Sequence, residues 1–210
     1  MKPSLKDRIT VKKIIKLFNL LFLIIITFSG CASNESDSKK IAQEFGRNLY
    51  TVNAQKVDEY NKMLKERDKF NVANAVMTET GGVAPHTPEY IKTMQSLDKN
   101  IQPLMTEKAY EAIVANRFNT LSTEVCAEGN YTCQVINFIL DKNLYDEKGD
   151  KAGYYYEIKL KFISTNGKAE RTDTAKGYIA LLKENGQWKV FVYKPETYPN
   201  LYKEILINKL

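Results

Sequence analysis

Apolar residues along this chain change their spacing twice, and each change marks a boundary. Behind a basic start (Lys2, Lys6, Arg8, Lys12, Lys13, Lys16) runs the apolar stretch Leu17–Phe28, interrupted only by Asn19 and Thr27. That run is shorter than the roughly 20 residues a helix needs to span a bilayer. It closes on small residues, Ser29 and Gly30, just before Cys31, so residues 1–30 read as a signal peptide. Residues 31–40 carry Ser33, Asn34, Glu35, Ser36, Asp37 and Ser38 and no large apolar side chain, the composition of a flexible tether. Ser38 is placed to cap a helix beginning at the end of that tether.

Helical spacing then takes over. Ile41, Phe45, Leu49 and Val52 recur every three or four residues and predict one apolar stripe on a helix, ending near Asn53. Val57, Tyr60, Met63 and Leu64 predict a second helix. Thr80–His86 reads as a loop by its Gly and Pro content, and Thr87-Pro88-Glu89 as a helix start, with a cap, a proline suited to the first turn and an acid at the positive end. Ile91, Met94, Leu97 and Ile101 supply that helix with its stripe until Pro103 breaks it. Thr106 caps again, and Tyr110, Ile113, Val114 and Phe118 form another stripe.

The second half switches to a period of two. Cys133–Leu140 is apolar and β-branched and predicts a strand. Tyr154, Tyr156, Ile158, Leu160 and Phe162 alternate with Tyr155, Glu157, Lys159 and Lys161, the pattern of a half-buried strand. Asn166-Gly167 predicts a tight hairpin turn, Thr172–Lys183 the return strand, Asn185-Gly186 a second turn, and Gln187–Lys194 a last strand with Trp188, Val190 and Val192 on one face. Asp141–Ala152 is a longer polar connection ahead of this meander. The tail, residues 198–210, is expected to form a short helix. The fold class is therefore α+β, N-terminal helices packed on a curved antiparallel sheet over residues 41–197.

Two resemblances rest on these residues. Phe28-Ser29-Gly30-Cys31 behind the basic and apolar segments resembles the lipobox of bacterial lipoproteins. That likeness implies acylation of Cys31, removal of residues 1–30, and a protein anchored by lipid to the extracytoplasmic face of the cell membrane. The helix Ile41–Val52, the start Met105-Thr106-Glu107-Lys108-Ala109-Tyr110, and Gly177-Tyr178-Ile179 with Glu184-Asn185-Gly186-Gln187-Trp188-Lys189-Val190 resemble the nuclear transport factor two-like superfamily, close to the cystatin-like fold. The resemblance covers roughly Ser38–Pro195. It implies a cone-like domain of the kind carried by lipoproteins of Gram-positive conjugative elements and by envelope subunits of type IV secretion machines.

Charge changes meaning once the signal is set aside. Residues 1–30 hold six of the 31 basic and one of the 25 acidic side chains, leaving 25 against 24, a net +1. A nucleic-acid partner needs a basic face, and this balance offers none. With Cys31 assigned to lipid, Cys126 and Cys133 remain, six residues between them in a compartment outside the reducing cytosol. Such a pair reads as a disulfide closing Ala127–Thr132, with two free thiols as the alternative.

Candidate chemistry is sparse. Enzymes of the resembled superfamily place an Asp or His base inside the cone, but the only histidine, His86, falls in the Gly/Pro loop and reads as solvated. Asp141, Asp146, Glu147 and Asp150 cluster near Gly149 without the spacing of a calcium loop and read as a solvated turn. Arg171, Asp173 and Lys176 would line a charged concave sheet face, or pair across strands with Glu157 or Lys159. Tyr155 must point away from Tyr154 and Tyr156 and is the candidate partner contact. No cofactor or metal set is expected. The functional expectation is a non-enzymatic scaffold or partner-binding module with an envelope protein partner, a conjugative transfer apparatus being the setting that the resemblance implies. The alternative is a small-ligand-binding or enzymatic cone domain.

Overall fold

The computed structural model describes residues 33–78, 88–145 and 149–207. Cys31, the signal segment, His86, Asp146 and Glu147 lie outside these residues. Six α-helices are described: α1 Ser33–Tyr50, α2 Ala54–Thr78, α3 Pro88–Asp98, α4 Glu107–Ala115, α5 Phe118–Gly129 and α6 Asn200–Ile207. Between α5 and α6 come the strands β1 Tyr131–Tyr145, β2 Lys151–Ser164, β3 Glu170–Glu184 and β4 Gln187–Thr197. They form one antiparallel sheet in the order β1-β2-β3-β4, so the domain is α+β as the change of period predicts.

The helix α1 corrects the expected tether. Its helical turns begin at Ser33, and Ser38 is fully buried, its hydroxyl 2.7 Å from that of Tyr154. The reason lies in spacing: Ser38 stands four residues before Ala42, which continues through Phe45, Leu49 and Val52 as one buried face. A serine on that stripe is small enough to enter the core and finds a hydroxyl partner there. Gly46 lies on the same helix against Phe138; a Cβ on it would come within 2.2 Å of the Phe138 ring. The compact unit accordingly begins at Ser38.

Further along, Pro103 is the middle residue of a short 3₁₀ turn, Gln102–Leu104, and Thr106 caps α4 by accepting from the Ala109 N–H at 3.3 Å. The expected single stripe Tyr110–Phe118 is split in two. Arg117 adopts a left-handed backbone (φ 58°), and Phe118 starts the separate helix α5. That helix runs on to Gly129, so the segment expected as a loop between the cysteines is mostly helix end and strand start.

In the sheet, Ala152, Tyr154, Tyr156, Ile158, Leu160 and Phe162 of β2 are all buried, as alternation requires. The two turns differ. Asn185 and Gly186 both take positive φ (52° and 79°) and close a two-residue hairpin between Glu184 and Gln187. At the other turn only Gly167 is left-handed; Asn166 instead accepts from the Ser164 hydroxyl and the Lys168 N–H, and the connection is a longer loop closed by Ser164 and Ala169. A register shift separates Val190, opposite Leu181, from Val192, opposite Ala180. The bulged residue, Phe191, inverts the alternation beyond it. Tyr193, not the expected Val192, therefore turns into the core.

Helices α1, α4, α5 and α6 cover one face of the sheet. Phe45, Leu49, Ile101, Ile113, Val125 and Leu201 interdigitate there with Leu140, Ile158, Leu160, Ile179, Leu181 and Val190 of the sheet. A smaller cluster, Tyr60, Met63 and Leu97, joins α2 to α3. Three tyrosines finish the interior. The Tyr50 hydroxyl lies 2.9 Å from that of Tyr193 and 3.3 Å from that of Tyr156, and the latter two are 3.4 Å apart. Closing the hydroxyls on one another leaves none of them without a partner away from water. Burial raises the pKa of all three.

Candidate functional site

Alternation along β2 gives the sheet two unlike faces. Tyr154 and Tyr156 are 0% and 3% exposed, whereas Tyr155 between them is 49% exposed on the outer face. The register carries one row across all four strands there: Asp141, Tyr155, Tyr178 and Lys194. The next row is Ile139, Glu157, Lys176 and Thr197. Ile139 is also a large apolar side chain left in water, at 46% exposure.

Tyr155 and Tyr178 pack as a tilted pair with ring centroids 5.4 Å apart. Tyr178 lies diagonally across Gly153, whose missing side chain makes room: a Cβ there would stand 2.2 Å from the Tyr178 hydroxyl. The outcome is a flat aromatic surface rimmed by charge. Lys176 pairs with Glu157 at 2.6 Å and Lys161 with Glu170 at 2.8 Å. Such exposed pairs add at most about 1 kcal/mol each to stability.

The other candidate residues scatter. Arg171, Asp173 and Lys176 do not share a face. Lys176 is on the outer side, while Arg171 and Asp173 stand opposite the buried Phe162 and Leu160. Arg171 grips Glu204 of α6 at 2.7 and 3.1 Å, and Asp173 accepts from the Leu201 N–H at the start of that helix. They fasten α6 to the sheet rather than line a binding surface. Asp141 is exposed on β1, and Asp150 follows the left-handed Gly149 at the entry to β2. Cys126 and Cys133 are both fully buried and are not bridged in this structure. Hydrogen bonding to Cys126 and burial raise the Cys133 pKa.

One charged cluster escapes the periodicity. Asp98, at the end of α3, is fully buried and accepts from the Tyr110 hydroxyl at 2.8 Å and from the Asn119 amide at 2.9 and 3.2 Å. Lys56 is the cation acting on it, and its ammonium donates to the Asn48 and Thr51 carbonyls at the end of α1. Burial raises the Asp98 pKa, against the two hydrogen-bonding partners, and lowers that of Lys56. Lys56 also lines an open polar cleft of about 210 Å³ with Asn48, Ser96 and Asn100. Each group in the cluster is engaged by its neighbours, and its chemistry is that of a polar clamp joining α1, α2, α3, α4 and α5. Among the described residues no group of three or more His, Cys, Asp or Glu side chains is placed to hold a metal. No described helix is long and apolar enough to cross a membrane.

Four antiparallel strands with helices on one face define the class of this domain. No family model matches the chain, and no curated protein matches it. Solved structures do. The intermembrane space region of the chloroplast protein ARC6 is 10% identical, with 51% of this chain and 96% of that one covered at a TM-score of 0.30. A nuclear transport factor 2 (NTF2-like) superfamily protein from Salmonella enterica serovar Typhimurium is 12% identical, with 51% and 84% covered at a TM-score of 0.31.

Proposed function

We propose that this chain is a lipid-anchored protein of the extracytoplasmic face of the cell membrane whose domain is a non-enzymatic scaffold or partner-binding module. Its setting would be an envelope assembly such as a conjugative transfer apparatus. The observation that carries the binding reading is the contrast between the two sheet faces: the helix-covered side is filled by interdigitated side chains, and the outer side leaves Tyr155 and Ile139 exposed, with the half-buried Tyr178 packed against Tyr155. Aromatic residues at the centre of a contact surface supply much of its binding energy. In the test, membranes holding wild type or Tyr155→Ala at equal abundance are crosslinked. Tyr155→Ala is expected to fold normally and to weaken partner capture by about 1–2 kcal/mol or more, roughly a tenfold loss. Undiminished capture would overturn the reading.

The anchoring reading is supported by the sequence around Cys31. Two acyl chains hold a protein on a bilayer where one is marginal. Cys31→Ala is expected to abolish palmitate incorporation and to release or leave unprocessed the chain; unchanged labelling would contradict it. The same compartment favours joining Cys126 to Cys133, each thiol giving up a proton and an electron to an extracytoplasmic disulfide donor. Alkylation of the denatured protein without reductant should then leave both sulfurs unmodified. Quantitative labelling of both would establish the thiol alternative.

A further inference from the structure

The two edges of the sheet are closed to different extents. Along β4, the Thr106 N–H donates to the Val190 carbonyl at 3.0 Å, the Lys189 ammonium donates to the Pro103 carbonyl, and Pro195 lacks a donor. Along β1 the cover stops early. Val52, just past α1, exchanges two backbone bonds with Cys133, at 2.9 and 2.8 Å, as a one-residue antiparallel fifth strand. Arg47 then donates to the Val135 carbonyl at 3.5 Å. The exchange with Val52 means that the backbone groups of Cys133 point away from β2. Cys133 stands opposite Phe162, while Phe138 and Leu140 stand opposite Ile158 and Tyr156, an even number of residues further along β2. The register shift between them lies on β1, so the N–H and carbonyl groups of Phe138 and Leu140 point outward as well. Among the described residues nothing bonds to them.

This open stretch, 137–142, is regularly paired behind, free of proline, and bounded by a register shift at each end. Such an edge is a template for another strand. On its outer face stand Asn137, Ile139 and Asp141, and the exposed Ile136 sits at the bulge before them. Asp141 makes one end acidic. At the other end Lys159 lies inboard of Asn137; Lys161 is held by Glu170 and Lys176 by Glu157, which leaves Lys159 for an acid from outside. We propose that this edge takes an extended segment of the envelope partner as an added antiparallel strand. Reading from its N-terminus, that segment carries a basic, an apolar and an acidic side chain at alternate positions, opposite Asp141, Ile139 and Asn137. Main-chain bonds to Phe138 and Leu140 supply affinity, and the alternate side chains supply selectivity. The added strand rests on the reading of the outer face as a contact surface, since Asp141 and Tyr155 share a row.

Peptide binding to the full chain in detergent is the test. The probe is a short fluorescent threonine-rich peptide with lysine, valine and glutamate in that order at alternate positions. One control reverses the order of the charges; another is N-methylated at the two threonines between them, whose N–H groups would meet the edge. The probe is expected to bind at least about tenfold tighter than the reversed peptide, and the N-methylated one not to bind. Asp141→Lys with Lys159→Glu, checked for folding by circular dichroism, should invert the preference. Amide hydrogen exchange at Phe138 and Leu140 should slow about tenfold or more with the probe, while Ile139 and Asp141, bonded to β2, are protected throughout. Absence of binding, equal binding of the N-methylated peptide, or a preference untouched by the charge exchange would each overturn the added strand. A dimer in sedimentation velocity that Ile139→Lys dissolves would replace the partner's segment by a second copy's β1. Failure of the probe beside Tyr155-dependent crosslinking would overturn the strand and keep the contact surface. Crosslinks that ignore Tyr155→Ala would remove both.

Discussion

Replacing Asp98 by alanine is expected to lower stability by about 3–5 kcal/mol, because it leaves a buried cluster without its anion. The Tyr110 hydroxyl and the Asn119 amide lose their acceptor, and Lys56 loses the charge that opposes its own desolvation. Asp98→Asn keeps the shape and one acceptor oxygen and should cost less. The pH dependence separates charge from shape. Burial raises the Asp98 pKa, so in the window between its ordinary value and its folded value the native state binds more protons than the unfolded chain. Stability from this group is thus fully present below the ordinary carboxylate pKa and is lost as pH rises through the folded pKa. The deficit of Asp98→Asn relative to wild type should be greatest in acid and shrink toward neutrality. Urea denaturation from about pH 4 to about pH 7 reads it directly. A deficit that grows with pH would mean that Asp98 is held as a favourable anion rather than a costly one.

Tyr156→Ala is expected to cost a similar amount, about 3–5 kcal/mol, while Tyr155→Ala one residue away costs about 0.5 kcal/mol or less. Tyr156 is buried, stacks on Tyr193 with centroids 6.1 Å apart, and meets Phe138 edge-on at 6.0 Å. Its removal opens a cavity in the middle of the sheet's covered face. Tyr156→Phe removes only the hydroxyl. Because Tyr50 and Tyr193 still bond each other at 2.9 Å, that change should cost about 1 kcal/mol. Chemical denaturation of the three variants checks the order. Equal losses for Tyr155→Ala and Tyr156→Ala would contradict the two-faced sheet.

Much of this architecture is legible in spacing alone. Strict alternation from Tyr154 to Phe162 fixes which side of β2 is buried, and counting outward from Asn166-Gly167 sets Tyr155 opposite Tyr178 even though the loop is longer than a two-residue turn. What spacing does not reveal is where the count slips. The bulge at Phe191 is invisible in composition, yet it sends Tyr193 into the core and brings Lys194 into line with Tyr178. The left-handed Arg117 is equally silent, since arginine rarely takes that conformation. Ser38 shows the converse error: polar composition suggests a tether, while position on the α1 stripe places it inside. Asp98 closes an apolar stripe at a helix end and looks solvent-facing until Tyr110, Asn119 and Lys56 are brought to it from three other segments.

A photo-reactive phenylalanine placed singly at Tyr155, and in a separate chain at Ile91, tests most directly whether the outer sheet face is the contact surface. Both positions are nearly half exposed, at 49% and 46%, but Ile91 lies on α3 rather than on the sheet. After irradiation of intact membranes, a discrete crosslinked species is expected from position 155 and none from position 91. Equal crosslinking at both sites, or at neither, would contradict the account.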